Sequence, residues 1–184
     1  MTMRKIYAYL TAVLAFFLLL HGICGSYVLV GIGKTGAPIF AKISLVLLVI
    51  HAAFGLFFTA RTLWRQIENG RPFYLWQNRL FWLRRLSGLA ILCFLWCHFT
   101  LFGEMQGDTY VVHAFTAPRF LLHLGLWLAV SVHVLTNIKP LYVAMGFTQV
   151  EKRTADTTFV CAVLLLLMLG MAVLYYLGLG GVEA

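Results

Sequence analysis

Five runs of about twenty or more apolar positions divide the chain, at 6–30, 38–60, 83–102, 120–138 and 157–179, with short polar stretches between them. Each is long enough to cross a hydrocarbon core about 30 Å thick as a helix rising about 1.5 Å per residue. Within a run the apolar residues follow one another without the alternation of a barrel strand, so every backbone group finds its partner inside its own helix. The pattern predicts an all-α integral membrane protein with five transmembrane helices in a single domain, 1–184. The first run follows MTMRK and resembles a secretory signal at its start, but it continues past His21, too far for a signal's apolar core, and reads as a retained span. Glycines and Pro38 mark a tight turn after it.

Composition sharpens this picture. With 62% hydrophobic and 11% charged residues in 184, and with 5 Trp, 8 Tyr and 15 Phe, the chain holds more apolar surface than a soluble domain of its length could bury. The net charge of +8 does not point to nucleic acid, because the basic residues sit mainly at the ends of the apolar runs. Arg4, Lys5, Arg61, Arg65, Arg71, Arg79, Arg84, Arg85, Lys139, Lys152 and Arg153 fall on one side of the five-span arrangement, and Lys34, Lys42 and Arg119 on the other. The positive-inside rule places the first side in the cytoplasm, with the N-terminus inside and the C-terminus outside a cytoplasmic (inner) membrane. Stretch 61–82, basic and aromatic, is then an interfacial cytoplasmic loop. Cys24, Cys93, Cys97 and Cys161 all lie in apolar runs, where small packing residues are expected and a disulfide framework is not.

The candidate chemistry is carried by histidines. Each of the first four runs holds one near mid-span: His21, His51, His98 and His133. An imidazole within a membrane span is costly and marks a functional site by default. Counted from the cytoplasmic boundary, His21 and His98 lie roughly 20 Å deep and His51 and His133 roughly 10–15 Å deep. In an up-down four-helix bundle, helices one and three oppose each other across the axis, as do two and four, and cofactors are held between facing helices. Depth therefore pairs His21 with His98 and His51 with His133, as axial ligands of two haems stacked along the membrane normal, one outer and one inner. Neutral imidazole suits haem iron. The fifth run has no histidine and is expected outside the bundle. His113 falls in the outer loop, where a solvated side chain is expected. His123 lies about 80° around its helix from His133, at the outer end, within reach of an outer propionate or a quinone. Covalent haem attachment is not expected, since Cys93-x-x-x-Cys97-His98 is one residue longer than C-x-x-C-H and lies inside the membrane.

In the third run, Arg85-Leu86-Ser87-Gly88 followed by His98 resembles the R-[hydrophobic]-[ST]-G…H pattern in the cytochrome b membrane-anchor subunits of succinate dehydrogenases and fumarate reductases, in their single-anchor, five-helix, dihaem class. The segment SVHVLTNIKPLYVAMGFT around His133, followed by Glu151-Lys152-Arg153, is similar to the late part of the same subunits. The likeness runs over 73–179; in the first two helices it rests on His21 and His51 falling in order. It implies two haems b with the same axial pairing and a membrane quinone, menaquinone by expectation, as exchangeable substrate. It also implies a flavoprotein subunit and an iron–sulfur subunit on the cytoplasmic face, the latter docked on 61–82, and leaves room for a higher oligomer of that complex. Helix geometry adds Ser87 and Arg84, about 20° and 40° from the His98 direction, as partners of an inner propionate. Arg85 fits the family pattern better but points elsewhere on an ideal helix.

This chain departs from the family in carrying Ser131 where some dihaem fumarate reductases have a glutamate two residues before the fourth histidine, and in having no acid at 31–37. The two acids of that family proton path are therefore absent here, and Glu104 and Asp108 are the outer acids before the C-terminal tail that could serve quinone protonation, beside the commoner reading of solvated loop acids. Two further readings stand beside this one. Dihaem b subunits of formate dehydrogenases, of hydrogenases and of free-standing quinol oxidoreductases also carry electrons, usually with two histidines on one span. A haem-free anchor or transporter would use the histidines as proton relays, but the broken helices expected at a transport site are missing.

Overall fold

The computed structural model of the chain describes residues 2–30, 38–70, 77–101, 103–107, 109–114 and 116–178. The turn at 31–37 with Lys34, the loop residue Arg71, Asp108 and the C-terminal tail lie outside the described residues. Five helices dominate: α1 (Met3–Leu29), α2 (Pro38–Glu68), α3 (Arg79–Leu101), α4 (Ala117–Met145) and α5 (Val150–Tyr176). All five are long and apolar enough to cross a membrane.

The helices outrun the apolar segments that predicted them. The 31 residues of α2 give it a length of about 46 Å, and its last two turns, RTLWRQIE, are the first part of the stretch expected as an interfacial loop. Those residues are good helix formers, and nothing in them breaks the backbone ladder that the apolar run begins. At its far end α4 continues through Pro140 to Met145 and stops at Gly146, whose φ of 84° lets its N–H reach the carbonyls of Tyr142 and Val143. Between α3 and α4, where a loop was expected, β1 (Gly103–Gln106) and β2 (Thr109–Val112) form an antiparallel hairpin around Gly107 at φ 62°.

Helix α1 packs on α2, α4 and α5, and α4 packs on α3 and α5. Hydrogen bonds and a ring stack strap α5 along α4: Tyr142 to Thr157 at 2.6 Å, Trp127 Nε1 to the Leu165 carbonyl at 2.8 Å, and Phe120 stacked on Tyr176. What lies closest between helices is small. Ala8, Ser26, Ser44, Ser87, Ala129, Ser131 and Ala172 are buried, whereas no large side chain among the described residues is fully so. Small residues let membrane helices approach. Leu14, Val28, Ile138 and Tyr175 are the larger buried residues.

Pro140 has a local consequence. It lacks an N–H, so the Thr136 carbonyl four residues earlier loses its intrahelical donor. Arg84 of α3 supplies the replacement, its Nε donating to Thr136 O at 2.9 Å. In an apolar setting an unpaired carbonyl costs about 1–3 kcal/mol, so R84L should destabilise the chain by that order. In a P140A background, where the backbone N–H restored by the substitution can take the carbonyl, the cost of R84L should fall well below its value in the wild type. Unfolding of the four proteins in detergent measures the coupling, and strictly additive costs would contradict it.

Candidate functional site

The helix packing brings the four mid-span histidines together in two pairs. The rings of His21 (α1) and His98 (α3) have centroids 6.1 Å apart with planes crossed at 89°. Those of His51 (α2) and His133 (α4) are 6.2 Å apart and crossed at 83°. All four side chains are half-buried. These are the partners that depth counting predicts.

The separation has a chemical meaning. An imidazole nitrogen binds a first-row metal ion at about 2 Å and lies about 1 Å from its own ring centre, so two imidazoles on opposite sides of one ion have centres roughly 6 Å apart. The centroid spacings of 6.1 and 6.2 Å match that distance. Among the described residues no group of three or more His, Cys, Asp or Glu side chains converges to hold a bare ion. Haem iron, which brings four nitrogens of its own, accepts an imidazole on each face.

The surroundings of the two pairs differ. Both ring nitrogens of His51 meet α1: Thr11 Oγ1 lies 3.1 Å from Nδ1 and the Tyr7 hydroxyl 3.3 Å from Nε2, with the Tyr7 ring stacked on the imidazole at 5.0 Å. On the opposite side, Ser87 Oγ lies 3.2 Å from His133 Nδ1. Gly88 is what allows that approach, because a Cβ there would stand 3.2 Å from His133 Cε1 and 3.4 Å from Nδ1. In the other pair, His21 Nδ1 is buried and makes no hydrogen bond. His123 of α4 lies within electrostatic reach of His98, so a third imidazole stands by that pair. His113 is half-buried, not a solvated loop residue: its carbonyl accepts a bond from Tyr175 Oη at 3.3 Å.

The two arginines exchange the roles that an ideal helix gives them. Arg84, expected to face a propionate, is committed to the backbone of α4. Arg85 lies across Phe81 at 5.1 Å and acts electrostatically on Tyr7, His51 and His133, and its Nε is buried without a hydrogen-bond partner. No carboxylate among the described residues forms an ion pair with it; the ion pair present joins Lys139 to Glu151 at the exposed α4–α5 end. A half-buried guanidinium that neighbours two histidines and pairs with no carboxylate among the described residues suits an anionic group brought by a ligand. Ser87 faces an imidazole, where a propionate partner was expected.

Tyr7 and Thr11 are missing from the residues that the sequence singled out, and Gly88 enters there only as a member of the R-[hydrophobic]-[ST]-G pattern. A signal existed for the first two: they are polar, four apart, in an otherwise apolar run, and Tyr7 is only about 40° around the helix from His21. Cys24, Cys93, Cys97 and Cys161 are all free thiols. Comparison with protein families, with characterised proteins and with solved structures gives no match.

Proposed function

We propose that the chain is a dihaem cytochrome b that anchors a succinate:quinone or quinol:fumarate oxidoreductase in the membrane. The observation that carries the haem reading is the pair of crossed, 6 Å-spaced imidazoles, each assembled from two different helices. In this reading helices α1 to α4 form an up-down bundle, with His21 and His98 serving an outer haem and His51 and His133 an inner one. Once bound, the two haems supply a one-electron relay across the membrane.

The remaining chemistry belongs to the chain. Four neutral imidazoles hold the iron without adding charge to the bilayer interior. Arg85 neutralises an inner propionate, and the Arg84 bond to α4 keeps α3 in register so that Arg85 and Ser87 face the inner site. Gly88 gives His133 the room to lie flat against α3. That two members of the R-x-S-G pattern, Ser87 and Gly88, meet the same ligand imidazole supports reading the pattern as a haem-site signature. His123 stands at the outer site, where it can meet a propionate or a quinone.

The partners follow from the resemblance in α3 and α4: a flavoprotein and an iron–sulfur subunit on the cytoplasmic side, exchanging electrons with a membrane quinone. The basic end suits such docking, with the polar last turns of α2 exposing Trp64 and Ile67.

Histidine replacements test the pairing. H51A and H133A should each remove the same one of two haems, and H21A and H98A the other, as resolved by redox titration of the α-band absorbance. Loss of one haem in H51A and of the other in H133A would refute it. Ring planes crossed at 83° and 89° should also give the oxidised protein strongly anisotropic low-spin EPR signals, with a larger maximum g than parallel imidazoles produce. Gly88→Val should displace His133 and selectively loosen the inner haem, read as substoichiometric haem after detergent washing.

A further inference from the structure

Resting on the haem reading of the site, we infer that Thr11 and Ser87 are positioning residues that fix the tautomer of both inner histidines and thereby make the inner site electronically different from the outer one. A hydroxyl has a single proton to donate. Thr11 Oγ1 donates its proton to the Tyr7 carbonyl of its own helix at 2.8 Å, and Ser87 Oγ donates to the Arg84 carbonyl at 3.2 Å. Each hydroxyl then offers only lone pairs to the imidazole beside it. With those protons on the carbonyls, the hydrogen in Thr11···His51 and in Ser87···His133 sits on Nδ1.

In water an imidazole exchanges freely between its two neutral tautomers. Here two hydroxyls on two different helices select the same one, so Nε2 of both histidines carries the lone pair that a metal takes. The Tyr7 hydroxyl, 3.3 Å from His51 Nε2, has a proton to give to that nitrogen in the metal-free protein and must yield it when a metal takes the lone pair. His21 has no such partner on Nδ1, so the hydroxyl support found on both sides of the inner site is missing from at least one ligand of the outer site.

The electronic consequence has a definite sign. An N–H shared with an acceptor makes the imidazole a better donor, which favours the ferric over the ferrous state. Thr11 and Ser87 thus hold the inner midpoint below the value that the same two imidazoles would give without them. The effect is local to one haem.

The full-length protein tests this with T11V, which keeps the shape of Thr11 and removes its hydroxyl, and with S87A. Both should move the same one of the two redox midpoints to more positive values and weaken retention of that haem about tenfold in competition with apomyoglobin, while T11S and S87T keep wild-type behaviour. Wild-type midpoints and retention in T11V and S87A, or shifts in different haems, would overturn the proposal while the dihaem assignment stands. Should T11V not accumulate, S87A against S87T decides alone. Histidine ¹⁵N NMR of haem-free protein tests the tautomer separately from any haem. It should show two side chains locked in the Nδ1–H form, one released in S87A; Nε2–H forms at both sites would overturn the proposal even if the wild type binds no haem.

Discussion

An imidazole inside a membrane must answer for its polarity, and the rest of this chain is arranged around four of them. In hydrocarbon each ring nitrogen needs a proton donor, an acceptor or a metal. The His51 and His133 pair shows how this is met: Thr11 and Ser87 supply oxygens beside the two Nδ1 atoms, and the Tyr7 hydroxyl lies against His51 Nε2. The two rings of each pair come from different helices, linked through the packing of α1 on α4, so several helices have to be in register for any one site to exist.

Register is in turn set by small residues and by a few polar bonds between helices. Buried serines and alanines let the helices close, and Gly88 admits the His133 ring directly onto α3. Pro140 opens a carbonyl that Arg84 fills, which ties α3 to α4 one turn of helix from the inner histidine. These contacts account for the conflict between ideal-helix geometry and the structure: once Arg84 is drawn towards α4, Arg85 is the arginine that turns to the Tyr7 and His51 corner. Arg84, which ideal-helix geometry turns towards the His98 direction, is instead bonded to the backbone of α4.

Most of the architecture is legible in the sequence. Apolar runs give the five helices because membrane spanning leaves the backbone little choice, and depth counting along straight helices gives the partner of each histidine. Helix ends are less legible, as at Glu68 and Met145, because polar residues outside the bilayer continue a helix at little cost. The partial burial of His113 is less legible too, since its carbonyl meets Tyr175 of α5, 62 residues away. Thr11 and Tyr7 are hard to read for a similar reason: their importance comes from His51, 40 and 44 residues away, and becomes visible only when α1 and α2 pack.

The central claim is that the two crossed imidazole pairs are haem sites. The haem content of the purified wild-type chain, measured as the pyridine haemochrome against protein concentration, tests it most directly. The account requires two non-covalent haems b per polypeptide. A colourless protein, or one that binds a single haem when haem is supplied in excess, would contradict it.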